Sequence, residues 1–246
     1  MTTGTARPGW RRALPGRATF GFLKHWRVGW ILPANLLWWV LTPRQPFFPA
    51  SAAAGFAELA AQWPLIRDEY LAARAAAGRV PSFSDVEPGQ QRLAGDGGWR
   101  ALVFRLYGND LPHNMALMPR TWELLSAIPR LETAMISVLE PGKVLPLHAG
   151  AVKAVLRVHL GLIVPEPRES SGIKVGGQLR HWEPGGLLVF DDTHLHTAWN
   201  HSPSERVVLF CDVARQTRFA WLDRFGDFVL RRLSRHLHST IPALRT

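Results

Sequence analysis

The sequence predicts a mainly β protein with flanking helices, its core a β-sandwich or jelly-roll barrel. Two observations carry this. From Leu131 onward, short apolar runs recur at 133–139, 154–164, 172–180, 187–191 and 206–213, the length and spacing of strands in a two-sheet fold. Turn signals separate them at Pro141-Gly142, Gly176-Gly177, Pro184-Gly185-Gly186 and Ser202-Pro203-Ser204. Helical periodicity appears only before and after this region.

Taken in order, residues 1–20 read as a flexible basic tail rich in Gly, Pro, Arg and Thr. An aromatic, apolar stretch follows from Val28 to Leu41, interrupted by Pro33. As a helix it would cover about 21 Å, short of the ~30 Å hydrocarbon core of a membrane. Trp-rich and flanked by Arg27 and Arg44, it suits a membrane interface and equally suits packing on the domain. Ser51 is placed to cap a helix reaching Ala77, with a kink at Pro64 and Gly78 as its stop. Residues 79–98 read as loop. Trp99–Tyr107 alternates as a strand, with Leu102, Phe104 and Leu106 on one face. A short helix is expected at 119–127. At the C-terminus, 219–236 places Phe219, Leu222, Phe225, Phe228, Val229 and Leu233 on one helical face. The expected division is an N-terminal extension at 1–50, a barrel domain with its leading helix at 51–215, and a basic amphipathic helix at 216–246.

Composition narrows the function classes. With 47% hydrophobic and 20% charged residues, the chain is an ordered globular protein. Its single cysteine, Cys211, lies in the apolar run around Val207–Phe210, so it reads as a buried strand thiol and excludes an internal disulfide. The net charge of +10 is concentrated at the ends: no acid precedes Glu58, and Arg218, Arg224, Arg231, Arg232, Arg235 and Arg245 crowd the C-terminus. Such ends suit an anionic surface, or are simply solvated charge. Without a base-reading motif, nucleic acid is not an expected partner. No secretory leader is legible, so the expectation is a cytoplasmic protein, with peripheral binding at the inner membrane face as the alternative.

Four histidines, His148, His159, His194 and His196, lie on or beside expected strands. In a jelly roll an early and a late strand face each other across the barrel mouth, so His148 and His196 can converge. Imidazoles suit ferrous iron, and an oxygenase site leaves coordination positions open. Arg206 opens the next strand, where its guanidinium can clamp a dicarboxylate with paired hydrogen bonds.

These residues resemble the aspartyl/asparaginyl β-hydroxylases, iron- and 2-oxoglutarate-dependent oxygenases built on a double-stranded β-helix, a cupin-like jelly roll. The likeness runs from Trp99 to Val213. It is carried by His148-Ala149-Gly150, Leu156–Leu162, Trp182-Glu183-Pro184-Gly185, Phe190–His196 and Arg206. A likeness to the bacterial lipid A acyl-chain hydroxylases extends further, into Trp63–Glu69, Ser126–Pro129 and Phe210–Val213.

The resemblance implies Fe(II), 2-oxoglutarate and O₂ as cofactors, with His148 and His196 as iron ligands. It implies Ser137 and Arg206 at the distal carboxylate of 2-oxoglutarate, and Arg157 and His159 toward its other end or a substrate carboxylate. Tyr107 would line the substrate cleft. Gly150 stands where most such oxygenases carry a third, carboxylate ligand, as it does in the aspartyl/asparaginyl branch. Asp191 and Asp192 are candidates to orient the metal shell, or are turn residues.

The implied substrate is a small molecule or peptide hydroxylated at the β-carbon of an aspartyl or asparaginyl group. The alternatives are an acyl chain at a membrane surface, a free or carrier-bound amino acid, or a jelly roll that binds without catalysis.

Overall fold

The structure, a computed structural model, describes residues 31–87, 91–94 and 96–241. The tail expected at 1–20, residues Val28–Trp30, and Pro88 and Gly95 of the expected loop lie outside the described residues. In order, the elements are α1 (Ile31–Leu41), β1 (Phe47–Phe48), α2 (Phe56–Ala61), α3 (Trp63–Ala77), α4 (Phe83–Val86), α5 (Gln91–Ala94), β2 (Trp99–Leu106) and β3 (Asn109–Asp110). They continue with α6 (Pro112–Met115), α7 (Pro119–Ser126), β4 (Leu131–Leu139), β5 (Val144–His148), β6 (Val155–Ile163), β7 (Ser171–Val175) and β8 (Gln178–Arg180). The last are β9 (Leu187–Phe190), β10 (His196–Asn200), β11 (Arg206–Ala214) and α8 (Ala220–Thr240).

Two antiparallel sheets form the core: one of seven strands in the order β1-β9-β6-β11-β4-β2-β3, one of four in the order β5-β10-β7-β8. This is the jelly-roll arrangement. The large sheet is buried on both faces, which is why its strands read as nearly continuous apolar runs. On β11, Val207, Leu209, Cys211 and Val213 pack against Phe56, Leu59, Ile66, Tyr70 and Leu125 of the helices. The alternate residues Val208, Phe210 and Ala214 face inward with Leu145, Ile173, Val175 and Ala198 of the small sheet. The same alternation on β6 sends Leu156, Val158 and Leu160 to the helices, so Arg157 and His159 point into the barrel.

Several expectations are corrected in detail. Ser51 lies in a 3₁₀ turn, Ala50–Ala52, and α2 starts instead from Gly55, whose φ of 83° is left-handed. Pro64 does not kink a continuous helix; the chain breaks at Gln62, and Pro64 sits in the first turn of α3, where its missing N–H costs nothing. The stretch 79–98 contains α4 and α5, which cover Trp99 at the barrel's end. Leu106 packs with the inter-sheet core while Leu102 and Phe104 face the helices, because a bulge between Val103 and Arg105 shifts the pleat. The strands carrying His148 and His196 fall outside the expected runs. On α8 the buried face is Leu222, Gly226, Val229, Leu230, Leu233 and Leu237, whereas Phe228 is exposed. Finally, Ile31, Ala34 and Trp38 of α1 join the inter-sheet core, so this part of the N-terminal segment is integral to the barrel.

Candidate metal and anion site

β5 and β10 are neighbours with His148 directly opposite His196, and the two rings lie 4.0 Å apart, centroid to centroid. Each ring is held by its own backbone. His148 Nδ1 lies 2.7 Å from the Pro146 carbonyl, and His196 Nδ1 lies 2.9 Å from that of His194. A carbonyl only accepts, so Nδ1 carries the proton in both rings and each Nε2 keeps a lone pair. Burial pushes His148 down to about 4. The same cause, with the neighbouring His148, holds His196 well below the usual range. At neutral pH the site therefore presents two neutral imidazoles with fixed tautomers, a donor set that suits a divalent transition metal. Among the described residues, no group of three or more His, Cys, Asp or Glu side chains is arranged to hold a metal ion.

Gly150, two residues after His148, explains the missing third side chain in steric language. A Cβ there would lie 2.0 Å from Asp192 Oδ2. Gly150 N–H also donates to the Asp192 carbonyl at 2.7 Å. The volume a side chain at 150 would need is filled by a carboxylate from the loop leading to His196. Asp192 Oδ2 pairs with Arg157 at 2.8 Å, while Oδ1 is buried without a partner. Burial pushes Asp192 up to about 7, Arg157 opposing and Asp212 and Asp191 adding to the rise. Asp191, its neighbour, turns the other way: it bonds Thr193 and pairs with Lys153 and Arg215.

Deeper in the barrel is a cation without an anion. Arg206 is 2% exposed, its Nε and Nη1 have no hydrogen-bond partner, and burial alone depresses it to about 9. Its guanidinium lies over the Trp182 ring, 4.4 Å from the centroid. Trp182 Nε1 donates to His159 Nδ1 at 3.3 Å, so His159 carries its proton on Nε2, which is also buried and unpartnered. Leaving such donors unmade is costly unless an acceptor arrives. Ser137 lies one pleat from Arg206 on the adjacent strand, its partner in register being Val208. The Ser137 oxygen accepts from Trp99 Nε1 at 3.0 Å and keeps its own O–H to donate. Ser137, His159 and Arg206 thus turn unmade or available donors to the barrel interior, a donor set that suits a carboxylate.

Arg157 is placed differently from these. Nε and Nη2 bond both oxygens of Asp212 at 2.8 and 3.1 Å, Nη1 takes Asp192, and the guanidinium covers the Phe210 ring. Its charge is committed to two carboxylates, so it holds Asp192 beside the histidines. Tyr107 lies at the end of β2 near this group, its N–H donating to Thr133 at 3.3 Å.

Trp182 and Asp212 lie in motifs that carry the resemblance, but the sequence assigned them no role, and Lys153 was not singled out at all. The structure places Trp182 through Gly161, where a Cβ would lie 2.1 Å from the Glu183 carbonyl, so that the 182–185 turn packs against β6. Asp212 is on the inward parity of β11, six residues from Arg206.

A family model described as aspartyl/asparaginyl beta-hydroxylase matches residues 60–216. The chain belongs to this family. Among relatives of this β-hydroxylase-family chain, the ornithine lipid ester-linked acyl 2-hydroxylase of Rhizobium tropici is 37% identical over 207 residues, covering 84% of this chain and 73% of that protein. The human aspartyl/asparaginyl beta-hydroxylase is 29% identical over 185 residues, 72% of this chain but only 22% of that protein. Among solved structures, KdgF from a Halomonas species matches over 49% of this chain and 83% of that one, at 14% identity and a TM-score of 0.31.

Proposed function

We propose that this hydroxylase-family protein is an Fe(II)- and 2-oxoglutarate-dependent oxygenase acting on the acyl chain of an ester-linked membrane lipid. The observation that supports the cofactors is the pairing of two free imidazole lone pairs with an orphaned buried guanidinium. His148 and His196 would hold the metal through Nε2. Arg206, Ser137 and the Nε2–H of His159 would hold the distal carboxylate of 2-oxoglutarate, relieving the unmade hydrogen bonds. Iron with 2-oxoglutarate and O₂ supplies the oxidation of an unactivated C–H bond to an alcohol, with release of succinate and CO₂. The chain's own residues orient these partners and exclude water. Asp192 offers an acceptor oxygen at the place Gly150 leaves bare, and Arg157 keeps that carboxylate in position.

The acyl substrate is favoured by two observations. The Rhizobium relative covers most of this chain, and Arg157, the inward cation suited to a substrate carboxylate, is already paired with Asp192 and Asp212. Gly150 is the observation that keeps an aspartyl or asparaginyl side chain as the second reading. Purified protein with Fe(II), 2-oxoglutarate and O₂ should form succinate faster with an ester-linked acylated aminolipid than with an Asp-containing peptide. Stimulation by the peptide alone would reverse the order of the two readings, and His148→Ala or His196→Ala should abolish iron binding and turnover.

A further inference from the structure

α1 and α8 expose apolar surface that the barrel does not need. On α1, Ile31, Ala34 and Trp38 face the core. The opposite stripe is Pro33, Leu36, Leu37 and Val40, with Leu36 and Val40 62% and 64% exposed. A helix on a protein surface normally carries polar residues on that side, yet α1 has no charged residue at all. Among the described residues no helix is long and apolar enough to cross a membrane.

α8 packs beside α1 through the core-facing side of α1 and exposes an apolar and basic stripe of its own. Trp38 stacks on Phe225 with ring centroids 5.5 Å apart, and Gly226 allows the approach, since a Cβ there would lie 3.3 Å from the Trp38 ring. Phe225 in turn stacks on Phe228. Trp221, one turn earlier, is 53% exposed. Beside these aromatics α8 turns Arg224, Arg231 and Arg235 to solvent. The acids of the same helix are engaged elsewhere: Asp223 accepts from the Thr217 N–H and hydroxyl, and Asp227 pairs with Arg130. The surface therefore combines exposed Leu, Val and Trp with arginines, the pattern of an element lying in an anionic interface. The sequence adds Arg7, Arg11, Arg12, Arg17, Lys24 and Arg27 just before α1, with no acid. That segment, or a second copy of this chain, would bring like charge to the arginines of α8.

The other side of α1 is tied to the metal pair. Asn35 Nδ2 donates to the Ala151 carbonyl at 2.7 Å, and the Lys153 N–H donates to Asn35 Oδ1 at 2.9 Å. Trp39 lies 3.8 Å below the Lys153 ammonium and edge-on to His194, whose carbonyl holds the His196 ring.

We propose that α1 and α8 form a membrane-docking face, in which Leu36, Leu37, Val40 and Trp221 enter the interface of an anionic bilayer and Arg224, Arg231 and Arg235 bind its headgroups, holding the His148–His196 mouth at the lipid surface. This deepens the acyl-lipid reading, and its test separates the two. The full chain should co-sediment with vesicles of phosphatidylglycerol and phosphatidylcholine but weakly with pure phosphatidylcholine. Leu36→Asp with Val40→Asp should weaken that binding roughly a hundredfold, and Arg224→Gln with Arg231→Gln about tenfold, with melting temperatures near that of the parent. On detergent-dispersed substrate the Leu36/Val40 variant should turn over as the parent does, and on vesicles it should not.

Vesicle binding unchanged in both double variants would overturn the docking face, whether or not the lipid is a substrate. So would a dimer in the parent that the Leu36/Val40 variant loses without any vesicle binding, which would give the face to a second copy. So would binding that depends on residues 1–30 but not on Leu36 and Val40. Vesicle binding as expected with no turnover of any acyl lipid would retain the docking face and reject the substrate reading.

Discussion

Besides the Arg157–Asp192–Asp212 network, two buried charged sites in this barrel are built in opposite ways. In one, Lys153 and Arg215 share the carboxylate of Asp191, all three nearly or wholly inaccessible to solvent. In the other, Arg206 is as deeply buried with no carboxylate and two unmade donor positions. In the first every charge has a partner, though two cations share one carboxylate: burial raises the Asp191 carboxyl, and Arg215 and Lys153 outweigh it, so the group is held below its usual range. Burial still lowers Lys153 and Arg215 against the pull of Asp191. The second is open, and burial lowers the guanidinium with nothing to oppose it. A fully paired cluster fixes the chain, here joining the 149–154 loop, the end of β11 and the turn before His196. An unpaired one is suited to an anion that arrives from outside.

The largest expected effect lies on the paired side. Asp191→Ala leaves two buried cations without a partner, a loss of about 3–5 kcal/mol on the pattern of broken buried ion pairs. Thermal or urea unfolding of the metal-free protein measures it. Arg206→Met should behave in the opposite sense, leaving the metal-free protein no less stable, because it removes an uncompensated charge from an apolar site. Its loss should show in ligand response. With manganese present, 2-oxoglutarate at a hundred times its dissociation constant should stabilise the parent by about 2.7 kcal/mol and the Arg206→Met protein by far less. Destabilisation of the ligand-free Arg206→Met protein comparable to that of Asp191→Ala would erase the distinction between the clusters.

A smaller effect tests the boundary between them. Gly150→Ala places a methyl where the Asp192 carboxylate lies 2.0 Å from the ideal Cβ, so Asp192 must move and its pairing with Arg157 is disturbed. A cost of about 1–3 kcal/mol follows from overpacking. Combined with Asp192→Gly, the penalty should fall by at least about 1 kcal/mol below the sum of the single changes, a coupling that a double-mutant cycle reads directly. Additive penalties would mean that Asp192 does not occupy the volume vacated at 150.

The open cluster was more legible in the sequence than the closed one, and the reason is physical. Arg206 begins a strongly apolar strand, and a cation on such a strand is conspicuous. His148 and His196 could be paired because a jelly roll brings an early and a late strand together at its mouth. Their own strands were not visible. β5 reads Val-Leu-Pro-Leu-His along an edge, with Val144, Pro146 and Leu147 exposed, and β10 mixes polar and apolar residues. Lys153, Asp191 and Arg215 come from three separate segments that only the folded topology joins. Periodicity also failed where register slipped: the bulge between Val103 and Arg105 turned Leu106 to the opposite core. It failed again on α8, where Phe228 matches the helical period but lies outward, on the face that also carries Trp221 and Arg224.

The finest test of the comparison uses two adjacent residues, Asp191 in the closed cluster and Asp192, paired with Arg157 beside the histidines. As the metal-free protein is acidified, its histidines should dominate. His148 is lowered from 6.5 to about 4, so the unfolded chain takes up a proton between those values before the folded one does. Stability is fully present above about 6.5 and is lost as pH falls through about 4; His196 and His159, also lowered, act in the same direction. Asp192 opposes them. Raised from 3.8 to about 7, it binds its proton in the folded state first, so its contribution is present below about 3.8 and is lost as pH rises through about 7. Asp191, lowered below 3.8, contributes stability that is lost only at still lower pH. Asp192→Asn removes the opposing proton, so its melting temperature should fall more steeply than the parent's between pH 7 and pH 4. An unchanged slope would show that Asp192 stays ionised across this range, as a closed ion pair with Arg157, and would move it into the paired class with Asp191.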